Sequence, residues 1–356
     1  MKFDVVVGNP PYQEITAKKN SKNGQKTVKN IFQYFQELAD QIGEVSDLIY
    51  PGERWLHGSG KGLASFGRDL LNSNDLVQVE FFPNANDVFN SVSFTDGVTI
   101  VLKNKNHKAN QFDYLYTTEG ISRGRIVEHP GDDLLVLNPS DVPLMDKVAK
   151  FIHEKKLSTL ADRILPRSLF SIDSDFIAKR SEGIQRYTGQ TIDINKSVKL
   201  LTNDKAGAAG RADWFIVNRD AIKTNQDLIE EWQVVVSSAH PGGQDNRDNQ
   251  LSIIDDQSVF GRSRVALGTF KTQIDAENFR NFIASDFVRY TLLMTAEKLG
   301  SVGKKVPDLG VYSGPTSLID FGQNIDEQIF DLVGLTSDER NYLSDVVMNA
   351  APKGRQ

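Results

Sequence analysis

The chain of 356 residues contains no cysteine. That excludes thiol nucleophiles, thiolate metal sites and disulfides. Histidine is scarce as well. His57, His107, His129, His153 and His240 are scattered without ligand spacing, so no metal is expected. An excess of positive charge is also missing. The net charge is −6, so a nucleic-acid partner would need a local basic face. No apolar run approaches membrane-spanning length. The N-terminal apolar run is three valines before Asn9-Pro10, too short for a secretory leader. A cytoplasmic protein with no membrane partner is the expectation, and the length is enough for two domains.

What is present is concentrated at the start. Val5, Val6 and Val7 form a β-branched run of the kind found in strands buried on both faces. Gly8 then frees the backbone, and the Pro10-Pro11 pair stiffens it. Two successive prolines cannot extend a sheet, but they hold a carbonyl and the flanking side chains in fixed directions. Such a turn suits one chemistry. An exocyclic nucleobase amine is a poor nucleophile because its lone pair is delocalised into the ring. The Asn9 side-chain oxygen and the Pro10 carbonyl can each accept one amine hydrogen, and Tyr12 can stack on an extruded base. Positioned acceptors carry the catalysis, with no perturbed acid or base required.

Asn9-Pro10-Pro11-Tyr12 after an apolar strand resembles motif IV of the S-adenosylmethionine-dependent amino-group methyltransferases. The resemblance implies that Asn9, Pro10, Pro11 and Tyr12 form the catalytic turn.

Residues 14–30 hold Lys18, Lys19, Lys22, Lys26 and Lys29 without apolar periodicity and read as a loop, with Lys18, Lys19 and Lys22 as candidate phosphate contacts. Val28, Ile31, Phe32, Phe35, Leu38, Ala39 and Ile42 fall at helical spacing, with Gly43 as a stop. Residues 47–50 read as a strand, 60–72 as a helix, and 76–82 and 98–103 as strands, with Asp96-Gly97 turning a hairpin from residues 91–94. This order fits one half of an open α/β sheet whose last strand is antiparallel. It is similar to the second half of the doubly wound methyltransferase sheet. By that likeness Phe89, in Asp87-Val88-Phe89, backs the flipped base as in motif VIII.

Beyond a polar stretch at 104–110 the character changes to many short strand-like runs: 125–128, 134–137, 199–201, 214–217, 234–237 and 265–267, with a helix at 141–155. Residues 275–300 read as one long helix, and 325–333 and 342–347 as two more. Gly334 stops the first of these, and Thr336 with Glu339 forms a capping box for the second. The segments DAENFRNFIASDFVRYTLL, KKVPDLG and DEQIFDLVGLTSDERNYL resemble the end of the large adenine methylases of restriction–modification systems, where a target recognition domain follows the catalytic fold. The chain thus resembles a gamma-class adenine-N6 DNA methyltransferase. Residues 1–106 are expected to be a catalytic half, and 107–356 an α+β target recognition domain, helical from about 275. Gln244, Arg247 and Asn249 lie in a stretch rich in side chains that read base edges, and Arg262, Arg264, Lys304 and Lys305 are candidate phosphate contacts.

One expected feature is missing. In that family S-adenosylmethionine sits on a glycine-rich turn upstream of motif IV. The glycine-rich candidate found here, residues 205–210, is read as having no buried strand feeding it and no helix after it. The chain reads as a fragment or subunit that is inactive without its donor-binding half. An upstream segment, a partner chain or a dimer contact is then expected to cover Val5, Val6 and Val7, and double-stranded DNA is the expected substrate. Two rivals stand beside this reading. One is a non-catalytic DNA-binding specificity subunit. The other is a protein-glutamine methyltransferase, which shares Asn-Pro-Pro-Tyr but has little need of the long stretch after Lys103. Cytosine-N4 transfer more often resembles Ser-Pro-Pro-Tyr.

Overall fold

A computed structural model describes residues 2–16, 27–58, 62–90, 96–180, 183–203, 212–238, 251–295 and 301–350. The chain divides into two units, Met1–Pro143 and Leu144–Gln356.

The first unit is built on a six-stranded mixed sheet in the order β1-β4-β6-β5-β7-β8. Its strands are β1 (Phe3–Gly8), β4 (Gly43–Pro51), β5 (Leu76–Phe82), β6 (Val98–Asn104), β7 (Gln111–Thr118) and β8 (Ile121–Glu128). Strands β1 and β4 are parallel, while β6 runs antiparallel to both β4 and β5 and sits between them. The antiparallel strand expected at 98–103 is therefore central rather than terminal. Strands β7 and β8 continue this sheet well past residue 106, because β7 pairs in parallel with β5.

One face of the sheet carries helices α1 (Phe32–Ile42) and α3 (Leu63–Leu71) over a core of Leu48, Tyr50, Val79, Phe81, Val101, Phe112 and Tyr114. Trp55, on the short α2 (Glu53–Leu56), joins Tyr50, Phe32 and Phe66 in an aromatic cluster with ring centroids 5.0–6.1 Å apart. Helix α1 begins at Phe32, so Val28 of the expected helical run lies in a strand instead, and the buried stripe is Phe32, Gln33, Gln36 and Ala39, with Phe35 and Leu38 of the expected apolar face exposed. The buried Gln36 is satisfied. Its Nε2 donates to Asp40 Oδ1 (2.8 Å) and Ser46 Oγ (3.2 Å), and its Oε1 accepts from the Tyr50 hydroxyl (3.2 Å).

Further sequence expectations in this unit need correction. Strand β1, read as buried on both faces, is largely exposed, because it is an edge strand that pairs with β4 alone among the described strands. The lysine-bearing loop starts and ends as an antiparallel ribbon, β2 (Gln13–Thr16) with β3 (Thr27–Asn30), because β-branched Ile15 stands opposite β-branched Val28. Residues 134–137 form no strand; Leu134 and Leu135 are buried in irregular chain. The hairpin partner expected at 91–94 lies outside the described residues.

The second unit is α+β. Helix α4 (Val142–Lys155) leads into it. Strand β9 (Ser158–Thr159), the one-turn helix α5 (Phe176–Lys179) and strand β10 (Gln185–Arg186) come next. One sheet has the order β10-β12-β11-β15, with β11 (Ser197–Asn203), β12 (Ala212–Asn218) and β15 (Ser258–Phe260). Another has the order β14-β13-β16, with β13 (Trp232–Ser237), β14 (Ser252–Ile254) and β16 (Arg264–Phe270). Their shared core includes Phe170, Leu200, Phe215, Ile229, Val235, Val259 and Ala266.

The long helix expected over 275–300 is two helices, α6 (Gln273–Ile283) and α7 (Asp286–Leu293). Ser285 caps α7, its hydroxyl accepting from Val288 N–H (3.3 Å), and the distant Asp326 carboxylate accepts from the N–H groups of Asp286 and Phe287 (3.1 and 2.9 Å). A two-residue strand, β17 (Pro307–Asp308), follows and pairs with β9. The C-terminal part is helical, as expected, with α8 (Ile325–Val333) and α9 (Ser337–Ala350). Gly334 ends α8 at φ 75°, and the Thr336–Glu339 capping box is formed in both directions (2.7 and 3.3 Å). Among the described residues no helix is long and apolar enough to cross a membrane.

Candidate active site at the carboxyl ends of the first sheet

Strands β1, β4 and β5 point the same way and finish on one edge. Gly8 stands opposite Leu48, whereas Pro51 and Phe82 both stand opposite Val98. Strand β1 therefore stops three residues short of its neighbours, and the turn Asn9-Pro10-Pro11-Tyr12 occupies the notch. Such an edge, outside the carboxyl ends of parallel strands, is where open α/β sheets bind ligands.

The turn is tied down on one side. The Tyr12 carbonyl accepts from the Ile31 N–H (3.0 Å), at the start of α1. The Tyr12 ring is half-buried against the core under α1. Burial raises its hydroxyl pKa, and a hydrogen bond with the Asn9 side chain pulls the other way. Asn9 and Pro11 are exposed and Pro10 is half-buried. Beside them an apolar groove of about 210 Å³ runs between β1 and α1, lined by Val6, Val7, Gly8, Phe35, Leu38 and Ile42.

Phe89 follows β5 and so leaves the sheet at the same edge. It packs on the opposite face, against Phe82, Ala85 and Val98, and its N–H donates to the Ala85 carbonyl (2.9 Å). Between the two, the loop after β4 is held to Asp96, whose carbonyl accepts from the Glu53 N–H (2.8 Å) and whose carboxylate pairs with Arg54 (2.8 Å). The topology thus places Asn9, Tyr12 and Phe89 on loops at one sheet edge.

The other candidates lie on other elements or outside the described residues. Lys18, Lys19 and Lys22, like Gln244, Arg247 and Asn249, lie outside the described residues, as does the glycine-rich stretch 205–210; contrary to expectation, a largely buried strand, β11, ends at Asn203 just before that stretch. Arg262 and Arg264 sit where β15 turns into β16, and Arg262 already pairs with Asp173 (3.1 Å). Lys304 is exposed on the separate turn that leads to β17, and Lys305 beside it is half-buried. No group of acidic or histidine side chains able to hold a metal occurs among the described residues.

Sequence reasoning missed two features. One is the ribbon after the turn, signalled by branched residues at both ends of the lysine stretch. The other is Asp47, whose Oδ1 is sealed on the sheet face without a hydrogen-bond partner and whose pKa is raised by burial.

Residues 1–89 match the model of the Eco57I restriction-modification methylase family. No curated protein matches the chain. Among solved structures, the type IIG restriction endonuclease BpuSI matches at 12% identity, covering 99% of this chain and 55% of its own, with a TM-score of 0.35. The type IIL restriction-modification enzyme MmeI in complex with DNA matches at 8% identity, covering 98% and 53%, with a TM-score of 0.37. A type I methyltransferase subunit from Streptococcus thermophilus matches at 14% identity, covering 44% and 36%, with a TM-score of 0.25. The chain spans between 26% and 55% of the length of such structures. Likeness at these scores says nothing about what the chain binds.

Proposed function

We propose that the chain is the catalytic-turn half and the target recognition domain of a site-specific DNA methyltransferase of a restriction–modification system, acting in the cytoplasm on the N6 amine of a flipped adenine. One observation carries the reading. The Asn9-Pro10-Pro11-Tyr12 turn fills the notch at the carboxyl end of β1, inside the stretch that matches the methylase family.

In this reading Asn9 Oδ1 and the Pro10 carbonyl accept the two amine hydrogens, which returns the lone pair to the nitrogen. Tyr12, gripped by the core, stacks on the base, and Phe89 backs it from the other side of the sheet edge. Catalysis is assigned to residues 1–106 and recognition to 107–356. Lys18, Lys19, Lys22, Arg262, Arg264, Lys304 and Lys305 are assigned to phosphates, and Gln244, Arg247 and Asn249 to base edges.

S-adenosylmethionine is the donor that the reading implies, and the groove beside the turn does not fit it. The groove beside Asn9 is apolar and of about 210 Å³, with no charged group for an amino-acid end and no acid for ribose hydroxyls. Donor binding therefore belongs to another segment or chain lying against β1. Strand β1 pairs with β4 alone among the described strands, and Phe3, Val5 and Val7 are 44%, 55% and 70% exposed. The same misfit favours one rival, a DNA-binding specificity subunit without catalysis. Asn9→Ala decides between them. In an assembly that restores donor binding it abolishes methyl transfer and spares DNA binding, because Asn9 acts only as the amine pyramidalises. Transfer retained within a few-fold refutes the catalytic reading.

A further inference from the structure

The ribbon that follows the turn carries a face with no role in the catalytic reading. Its register pairs Gln13 with Asn30, Glu14 with Lys29 and Ile15 with Val28. Strand alternation places Gln13, Ile15, Val28 and Asn30 on one side, and Glu14 with Lys29 on the other. Ile15 is 62% exposed and Val28 48%. A two-stranded ribbon standing alone is marginal in water, and a branched apolar pair left open on one calls for cover.

The charge of the surrounding sequence indicates what covers it. From Gln13 to Ile31 the sequence has five lysines against Glu14 alone, in a chain of net charge −6. Cover rich in phosphate fits this better than an apolar protein surface. A two-stranded ribbon also matches the width of the DNA major groove.

We propose that the β2–β3 ribbon lies in a groove of duplex DNA beside the base engaged by the turn, with Ile15 and Val28 against base edges and Gln13 and Asn30 reading them. The proposal rests on the DNA methyltransferase reading and deepens it. Branched aliphatic side chains meet thymine methyls, and side-chain amides pair with adenine in the major groove. Gln13 Nε2 donates to Asn30 Oδ1 (3.2 Å), so the two amides are held together by a bond that does not use Gln13 Oε1 or Asn30 Nδ2. Lys29, on the other side and 4.8 Å from the Tyr34 ring, adds charge for the flanking phosphates. The bond from Ile31 N–H to the Tyr12 carbonyl joins the ribbon's base to the turn, so seating the ribbon on DNA also seats Asn9.

The absence of cysteine gives a direct test. Ile15→Cys in the full chain provides one attachment point for an environment-sensitive fluorophore, and Met348→Cys, in the second unit, provides a control. Each labelled protein is titrated with a mixed-sequence DNA duplex of about 30 base pairs at about 50 mM salt. The label at position 15 is expected to shift with the same midpoint as duplex anisotropy, and the label at 348 to stay silent. The double variant Ile15→Ser, Val28→Ser is expected to lose about tenfold in affinity with the salt slope unchanged, whereas Lys29→Gln lowers the slope by about one. Duplex binding with a silent label at position 15 overturns the ribbon proposal and leaves the methyltransferase reading standing. A shift that follows protein concentration without DNA overturns it in favour of self-association. Failure to bind the duplex at all overturns it too. Failure of the Asn9→Ala test with the ribbon signal intact removes the catalytic reading alone.

Discussion

Gly67→Ala sets two effects of opposite sign against each other. Gly67 lies inside α3, where alanine is the better helix former by about 1 kcal/mol. Side-chain propensity alone would therefore make the variant more stable. The geometry opposes it. A Cβ at position 67 would lie 2.0 Å from the Trp55 carbonyl oxygen and 2.9 Å from its carbonyl carbon, where ordinary contact begins at 3.4 Å. The obstacle is backbone, so no side chain can swing aside, and α2 and α3 must separate by more than an ångström. Forcing atoms into a packed core costs about 1–3 kcal/mol, with the upper end apt when backbone must move. Separation would also disturb the aromatic cluster of Trp55, Phe66 and Tyr50. After the gain in propensity, a net loss of about 2 kcal/mol is expected, or roughly 6 °C in the midpoint of the first unit at about 3 °C per kcal/mol. Trp55 is the one tryptophan of that unit, so its near-ultraviolet signal, separated from Trp214 and Trp232, follows the transition. Ser65→Ala, on the exposed side of the same helix, reports propensity alone and should raise the midpoint slightly. If Gly67→Ala matches or exceeds Ser65→Ala, the close approach does not govern stability and the packing argument fails.

Three further outcomes are expected. Burial raises the pKa of Asp47 above its unfolded value, so its protonated form stabilises the fold at low pH and that contribution fades as pH rises through the folded pKa. Asp47→Asn should accordingly raise the thermal midpoint at pH 7 and lose that advantage toward pH 4; an advantage that grows on acidification contradicts the assignment. Glu339 accepts from the Thr336 N–H (2.7 Å) and pairs with Lys147 (2.6 Å), so Glu339→Ala should cost about 1 kcal/mol in the second unit, and an unchanged urea midpoint would refute this. Calorimetry of the chain alone with S-adenosylmethionine should give no saturable heat; binding at low micromolar concentration, about −8 kcal/mol, would mean that these residues hold a donor site after all.

Where the sequence was legible, local signals agreed with tertiary ones. Strand β5 has the expected bounds because Leu76, Val79 and Phe81 bury on one face, and Phe82 and Pro83 end it. The capping box before α9 was readable because both partners lie three residues apart. The break between α6 and α7 was not, because two of the side-chain hydrogen bonds at the start of α7 go to Asp326, about forty residues away. The place of β6 in the sheet was hidden for the same reason, since strand order is decided by pairing rather than by propensity. At the site, the turn itself was plain from Asn9-Pro10-Pro11-Tyr12. The ribbon beside it was obscured because lysines swamp the short branched runs at its two ends, and a strand pair shows only when both halves are read together.

The central position of β6 separates sequence likeness from autonomy in folding. The match to the methylase family ends at residue 89, yet β4 and β5 are bridged only by β6, which begins at Val98. A polypeptide stopped at the end of the recognisable stretch would hold both strands with a slot between them, each presenting an unpaired edge to its neighbours. On the ribosome the same order holds. The middle of the sheet waits for residues 98–104 to emerge, so the segment that matches the methylase family is expected to remain unable to close, and prone to wrong pairing, until β6 is made.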